Sequence, residues 1–202
     1  MENPLTERSL DALKELVNIG VGRAAKTLSE MLQSTIQLQV PTVSIFDPKQ
    51  RGHDIHLLDK TTLASVQLRF HGAFAGNSAL VFPPESAAKL VTALTGEEAG
   101  GDNLDAVMAG TLSEVGNIVI NAVIGSISNI LQKPMEFSLP SYLEGELAEL
   151  LKITDVSSVT ILLIRTTFLI EKLQINGDIY LVFEVNSFGE LLSTIDRIYE
   201  MH

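Results

Sequence analysis

Residues 9–22 read SLDALKELVNIGVG, an amphipathic helix interrupted by Asn18, Gly20 and Gly22 where good helix formers would be expected. Asparagine competes with the helix backbone for hydrogen bonds and belongs more naturally at a cap. Residues 108–121, MAGTLSEVGNIVIN, repeat the pattern. A shift of 99 positions sets Leu13 on Leu112, Glu15 on Glu114, Asn18 on Asn117 and Ile19 on Ile118. The same shift sets Ser29 on Ser128, Leu32 on Leu131, Gln33 on Gln132 and Pro41 on Pro140. Near the end of each half the shift becomes 101, with Gly76 on Gly177, Val81-Phe82 on Val182-Phe183, and Ser86 on Ser187.

The elements read from hydrophobic period and turn residues follow the same rhythm. A long helix is expected over about 7–32, then an extended segment over 36–46, two strand-like runs (LASVQLRF and SALVF), and a helix in PPESAAKLVTALTG. That last helix has Pro at its start and Gly at its end. An acidic connector, EEAGGDN (97–103), leads to a second long helix over about 104–132. MEFSLPSYL, the apolar run VTILLIRTTFLI (159–170), DIYLVFEV and a final helix over about 187–199 complete the chain. The run 159–170 carries Arg165 and several Thr; it is too short and polar to span a bilayer and reads as a buried strand pair or one long strand.

The order helix, extended segment, strands, helix thus occurs twice, over about 7–96 and 104–199. The period is longer than those of ordinary solenoids. We therefore expect an α+β fold with a pseudo-two-fold internal duplication over 1–202. Two long helices pack with β-sheet around one shared core, as a single domain.

Bulk composition narrows the function. The 202 residues carry 14 basic and 25 acidic side chains, a net charge of -11. Nucleic-acid affinity rests on Lys and Arg at phosphates, and docking to anionic lipid needs the same charges, so neither partner is expected. The absence of cysteine excludes disulfides, thiolate metal sites and a Cys nucleophile, and suits a reducing cytosol. Met1 to Leu10 is polar without an apolar h-region, so no secretory signal is expected and the location read is cytoplasmic.

Asp11, Glu15 and Asn18 are spaced i, i+4, i+7 and share one helical stripe, as do Glu114 and Asn117, with Asn121 a turn further along. A carboxylate beside a carboxamide offers a charge-assisted acceptor and a group that both donates and accepts, but no nucleophile. Asn orients water well and is a very poor general base, so chemistry at such a pair comes from positioning, with the rest supplied by a partner. A single Glu-x-x-Asn would ordinarily be no more than a solvated helix face; its recurrence at the equivalent position favours a functional reading.

In each half the pattern is E-x2-N, 22 residues, then Pro: Glu15, Asn18, Pro41, and Glu114, Asn117, Pro140. Asp11 completes a fuller form in the first half, [D/S]-x3-E-x2-N-x22-P. This resembles the signature of the CheC/CheX/FliY family of chemotaxis response-regulator phosphatases. Two signatures in about 200 residues without a further domain look most like its CheC branch. The resemblance implies a CheC-like fold with antiparallel sheet, and hydrolysis of the aspartyl-phosphate of a phosphorylated CheY-type response regulator. It implies that Glu15 and Glu114 dock to the regulator's active-site lysine while Asn18 and Asn117 orient the attacking water, Asp11 supporting. No cofactor is expected on this chain; the regulator brings the Mg²⁺. Phosphoryl transfer needs mostly in-line geometry and charge stabilisation, which suits this division of labour. The resemblance further implies a CheD-like deamidase as a second partner. Pro41 and Pro140 read as structural, shaping extended segments. Gly110 stands where the first half has Asp11, which leaves the first motif position unfilled at the second site; since Glu and Asn carry the implied chemistry, both sites are expected to be competent, and the sequence does not rank them.

Other features carry less. His53 and His56 lie three apart in a polar loop, and with only His71 and His202 besides, no metal site is expected. Arg23 and Lys26 read as helix-surface charge rather than a lure for an acidic regulator surface. Gly20, Gly22, Gly116 and Gly125 are expected to let helices or sheet approach closely. The competing function is a non-catalytic interaction module, either a flagellar-switch-like scaffold or chiefly a CheD-binding regulator.

Overall fold

A computed structural model describes residues 7–46, 61–96, 104–151, 160–170, 173–184 and 187–200. The expected His53–His56 loop and the 97–103 connector lie outside the described residues. Helix α1 (Glu7–Leu32) buries Leu13, Leu16, Val17, Val21, Ala24 and Leu28, the i, i+3, i+4 stripe of an amphipathic helix. Strand β1 (Ile36–Phe46), β2 (Leu63–Gly72) and β3 (Gly76–Phe82) follow, then α2 (Pro84–Thr95). Helix α2 begins on a proline and ends at Gly96, whose φ of 72° is the left-handed stop that glycine adopts freely.

Helix α3 (Leu104–Leu131) opens the second half, followed by β4 (Met135–Phe137), β5 (Ser141–Gly145), α4 (Leu147–Leu150), β6 (Thr160–Ile170), β7 (Leu173–Phe183) and α5 (Ser187–Glu200). Of the apolar run, residues 160–170 form one strand, β6, hydrogen-bonded to neighbours on both sides. Ala106–Leu131 has the length and hydropathy of a membrane span. Its composition has a local cause: α3 packs against α1, α2 and the sheet at once, burying Leu112, Val115, Val119, Ile120, Val123, Ile124 and Ile127. Each such side chain contributes up to about 1.5–3 kcal/mol of burial.

All strands form one antiparallel sheet of order β1-β6-β7-β3-β2-β4, with β5 also on β2. Read from either edge, the order is the same once the elements equated by the sequence shifts are exchanged: β1 with β4–β5, β6 with β2, β7 with β3. Each half gives its first strand to the far side, β1 pairing with β6 and β4–β5 with β2. At the centre Ala79 lies opposite Tyr180, residues that the 101-residue shift also equates.

The prolines mark matching irregularities in the two edge strands. Between Gln39 and Thr42, three steps along β1 are set against two along β6, and Pro41 sits in that bulge. Between Phe137 and Ser141, four steps are set against three along β2, and Pro140 sits in that gap. A proline lacks the donor a continuous ladder needs, and an edge bulge tolerates it. Both long helices stop at a non-glycine residue of positive φ, Gln33 at 49° and Gln132 at 52°.

One sheet face and helices α1, α2, α3 and α5 enclose the main core, including Val66, Leu68, Phe70, Leu80, Phe82, Ile164, Phe168, Leu181 and Phe183. Alternate residues Ala79, Val81, Ile161, Leu163, Tyr180 and Val182 face the other side and pack with Leu147 and Leu151 around α4. The runs SALVF and YLVF are buried throughout.

Candidate functional site

The core stripe of α1 leaves the opposite face exposed. Asp11, Glu15 and Asn18 lie together on it. Asp11 pairs with Lys14 at 3.3 Å, both ends in solvent, an interaction of small net value. Among the described residues neither Glu15 nor Asn18 has a side-chain partner. Their carboxylate and carboxamide are presented outward with their full hydrogen-bonding capacity.

On α3, Glu114 is exposed and likewise unpartnered among the described residues, while Asn117 is half-buried. Here the carboxamide is engaged: Asn121 Nδ2 donates to Asn117 Oδ1 at 2.7 Å, one turn along the helix. The i, i+4 spacing was the only sequence sign of this bond. Position 110, matching Asp11, is an exposed glycine.

The glycines around the sites divide into two kinds. A β-carbon on Gly20 would meet the backbone of Val123 and Ala122, and one on Gly116 would meet Val66 of β2, so these two allow the close approach expected of them. At Gly22 and Gly125 nothing lies within 4 Å of an added β-carbon, so the expectation of tight packing fails there. Both helices present those positions to open space, and the residues that make the approach are one turn away or less.

Arg23 does not stand out as a lure: its Nη1 donates to Ser126 Oγ of α3 at 3.1 Å, joining the long helices. Lys26 reaches Glu30 at 3.8 Å on its own helix, a solvated pair. His71 contacts Glu136 at 3.1 Å across β2 and β4. Among the described residues no group of three or more His, Asp or Glu is placed to hold a metal ion.

The arrangement is chemically incomplete by itself. Each helix offers an unpartnered carboxylate able to take an ammonium and a carboxamide able to hold a water or a phosphoryl oxygen, free on α1 and already engaged by Asn121 on α3. What the arrangement lacks is a nucleophile or base of its own.

Residues 64–163 match the family described as chemotaxis phosphatase CheX, and residues 9–45 match the CheC-like family. The chain belongs to the CheC/CheX/FliY family. The CheY-P phosphatase CheC of Bacillus subtilis (strain 168) is 24% identical over 149 residues, covering 68% of this chain and 67% of that protein. The flagellar motor switch phosphatase FliY of the same organism is 24% identical over 153 residues, 75% of this chain but only 38% of that longer protein.

Among solved structures, Thermotoga maritima FliY superposes with a TM-score of 0.73 at 21% identity, covering 96% of this chain and 99% of that one. CheX in the CheX–CheY–BeF3–Mg²⁺ complex of Borrelia burgdorferi gives 0.51 at 19%, covering 88% and 97%. The FliM middle domain of H. pylori gives 0.63 at 12%, covering 94% and 99%. The expected fold, two long helices on an antiparallel sheet, is therefore that of the family.

Proposed function

We propose that this chain hydrolyses the aspartyl-phosphate of a CheY-type response regulator in chemotaxis signalling. The observation that carries the reading is the pair of Glu–Asn stripes, Glu15 with Asn18 and Glu114 with Asn117, at matched positions on the solvent side of α1 and α3. Each glutamate docks to a lysine of the regulator. Each asparagine reaches the phosphoryl group and holds the attacking water in line, with Mg²⁺ supplied by the regulator. This is catalysis by positioning, since neither side chain is a useful base. The relatives named CheY-P phosphatase and the CheX–CheY complex support the choice of partner.

The same reading takes the chain, acting in the cytoplasm, as one internally duplicated domain; the palindromic strand order and the exchanged edge strands support the duplication. It also keeps a CheD-like deamidase as second partner, tested by titrating that protein into the phosphatase assay.

The test is the decay of phosphorylated regulator with Mg²⁺ present. The wild-type chain accelerates it, and the fourfold variant Glu15→Ala, Asn18→Ala, Glu114→Ala, Asn117→Ala does not. A fully active fourfold variant sinks the mechanism. The likeness to the FliM middle domain favours one alternative, a non-catalytic scaffold; binding of phosphorylated regulator with no change in its decay selects that reading.

A further inference from the structure

The carboxamide of Asn117 is held in place, and among the described residues nothing holds that of Asn18. We propose that Asn121 is a positioning residue for Asn117, which makes the α3 site the pre-organised one of the two. The inference rests on the phosphatase reading above and adds to it a difference between its sites.

Three observations carry it. First, Asn121 Nδ2 donates to Asn117 Oδ1 at 2.7 Å. The terminal torsion of an asparagine is broad and roughly two-fold, so a free side chain presents its oxygen or its amino group almost indifferently. A donor on Oδ1 ends that freedom. It leaves both Nδ2 hydrogens of Asn117 to donate outward and one Oδ1 lone pair to accept from water. Those are the bonds needed to grip a phosphoryl oxygen and aim a water at phosphorus.

Second, Asn121 Oδ1 is buried with no hydrogen-bond partner among the described residues. An unmet buried acceptor is unfavourable, and an apolar side chain would suit that environment better. Stability therefore does not explain the amide at position 121, whereas its bond to Asn117 does.

Third, the 99-residue shift sets Gly22 opposite Asn121, and nothing lies within 4 Å of a β-carbon built there. Among the described residues Asn18 is exposed and has no hydrogen-bond partner to orient it. Its rotamers must be frozen each time a regulator docks, while those of Asn117 are restricted beforehand. A reaction run by geometry gains from that head start in the chemical step.

The experiment uses two single-site proteins. Glu15→Ala with Asn18→Ala leaves the α3 site; Glu114→Ala with Asn117→Ala leaves the α1 site. In the α3-only protein, Asn121→Ala lowers kcat for phosphorylated-regulator hydrolysis about threefold to tenfold, the range one neutral hydrogen bond supports, with KM unchanged. In the α1-only protein, Gly22→Asn raises kcat by a similar factor. In the otherwise wild-type chain, Asn117→Ala and Asn117→Ala with Asn121→Ala give the same rate, because Asn121 acts only through Asn117.

An unchanged kcat for Asn121→Ala in the α3-only protein overturns the proposal, as does an equal loss from Asn121→Ala with Asn117 already removed, which would mark a merely structural role. A flat response to Gly22→Asn overturns the claim that this amide separates the sites. If the wild-type chain fails to accelerate decay at all, the phosphatase reading falls at the first measurement and takes this inference with it.

Discussion

A β-carbon on Gly20 would stand 2.6 Å from the Cα of Val123, so the two long helices meet backbone to backbone at this point. The neighbouring atoms are main chain and cannot swing aside. Gly20→Ala is therefore expected to destabilise the fold by about 1–3 kcal/mol despite alanine's better helix propensity, because the helices must separate. Urea unfolding checks it; a midpoint equal to or above that of the wild type means that the helices accommodate the methyl.

Gly22, two residues on, should respond with the opposite sign. It is exposed in the interior of α1, has an ordinary helical φ and open space around it. Gly22→Ala is expected to stabilise by about 0.5–1 kcal/mol through helix propensity and a less flexible unfolded chain. Thermal unfolding of the two alanine variants side by side distinguishes contact from propensity, since sequence alone assigns both glycines the same role.

Chelation separates the partner's chemistry from this chain's. If Mg²⁺ belongs to the regulator, EDTA abolishes accelerated decay of the phosphorylated regulator while the melting temperature of this chain alone stays put. A fall in that melting temperature, restored by Mg²⁺, would place a structural metal in this chain and reassign the requirement.

Much of this architecture is written in local chemistry. Helix bounds follow from apolar period and stop residues, and α1 (Glu7–Leu32) and β1 (Ile36–Phe46) fall where those signals put them. The Glu–Asn stripes were legible because the same spacing recurs at a shift of 99 residues. What was not legible depends on contacts between distant segments. Nothing local to β1 says that it pairs with β6 of the other half, and nothing in MEFSLPSYL says that β4 and β5 share β2 with a one-residue offset. The apolar surplus of α3 likewise reflects the number of elements around it, and the differing surroundings of Gly20 and Gly22 reflect which side of a helix faces its neighbour. The bond from Asn121 to Asn117 needed side-chain conformations, since i, i+4 spacing permits it without requiring it.

Far from the sites, Asp178 offers a test of burial against charge pairing. It lies opposite Arg165 across β6 and β7, with Arg165 Nε 3.9 Å from its Oδ1, and Tyr180 donates to its carboxylate. Burial pushes its pKa above the ordinary 3.8 and outweighs the attraction of Arg165 and the Tyr180 hydrogen bond. The sign follows from proton binding. The folded state holds the Asp178 proton more tightly than the unfolded chain, so this group favours folding below pH 3.8, and that contribution is lost as pH rises through the higher folded value. At neutral pH the ionised carboxylate is therefore a burden. Asp178→Asn is expected to melt higher than the wild type at pH 7, with the advantage shrinking to nothing below pH 3.8. A variant that melts lower at pH 7 would mean that the Arg165 pairing prevails over desolvation at this position.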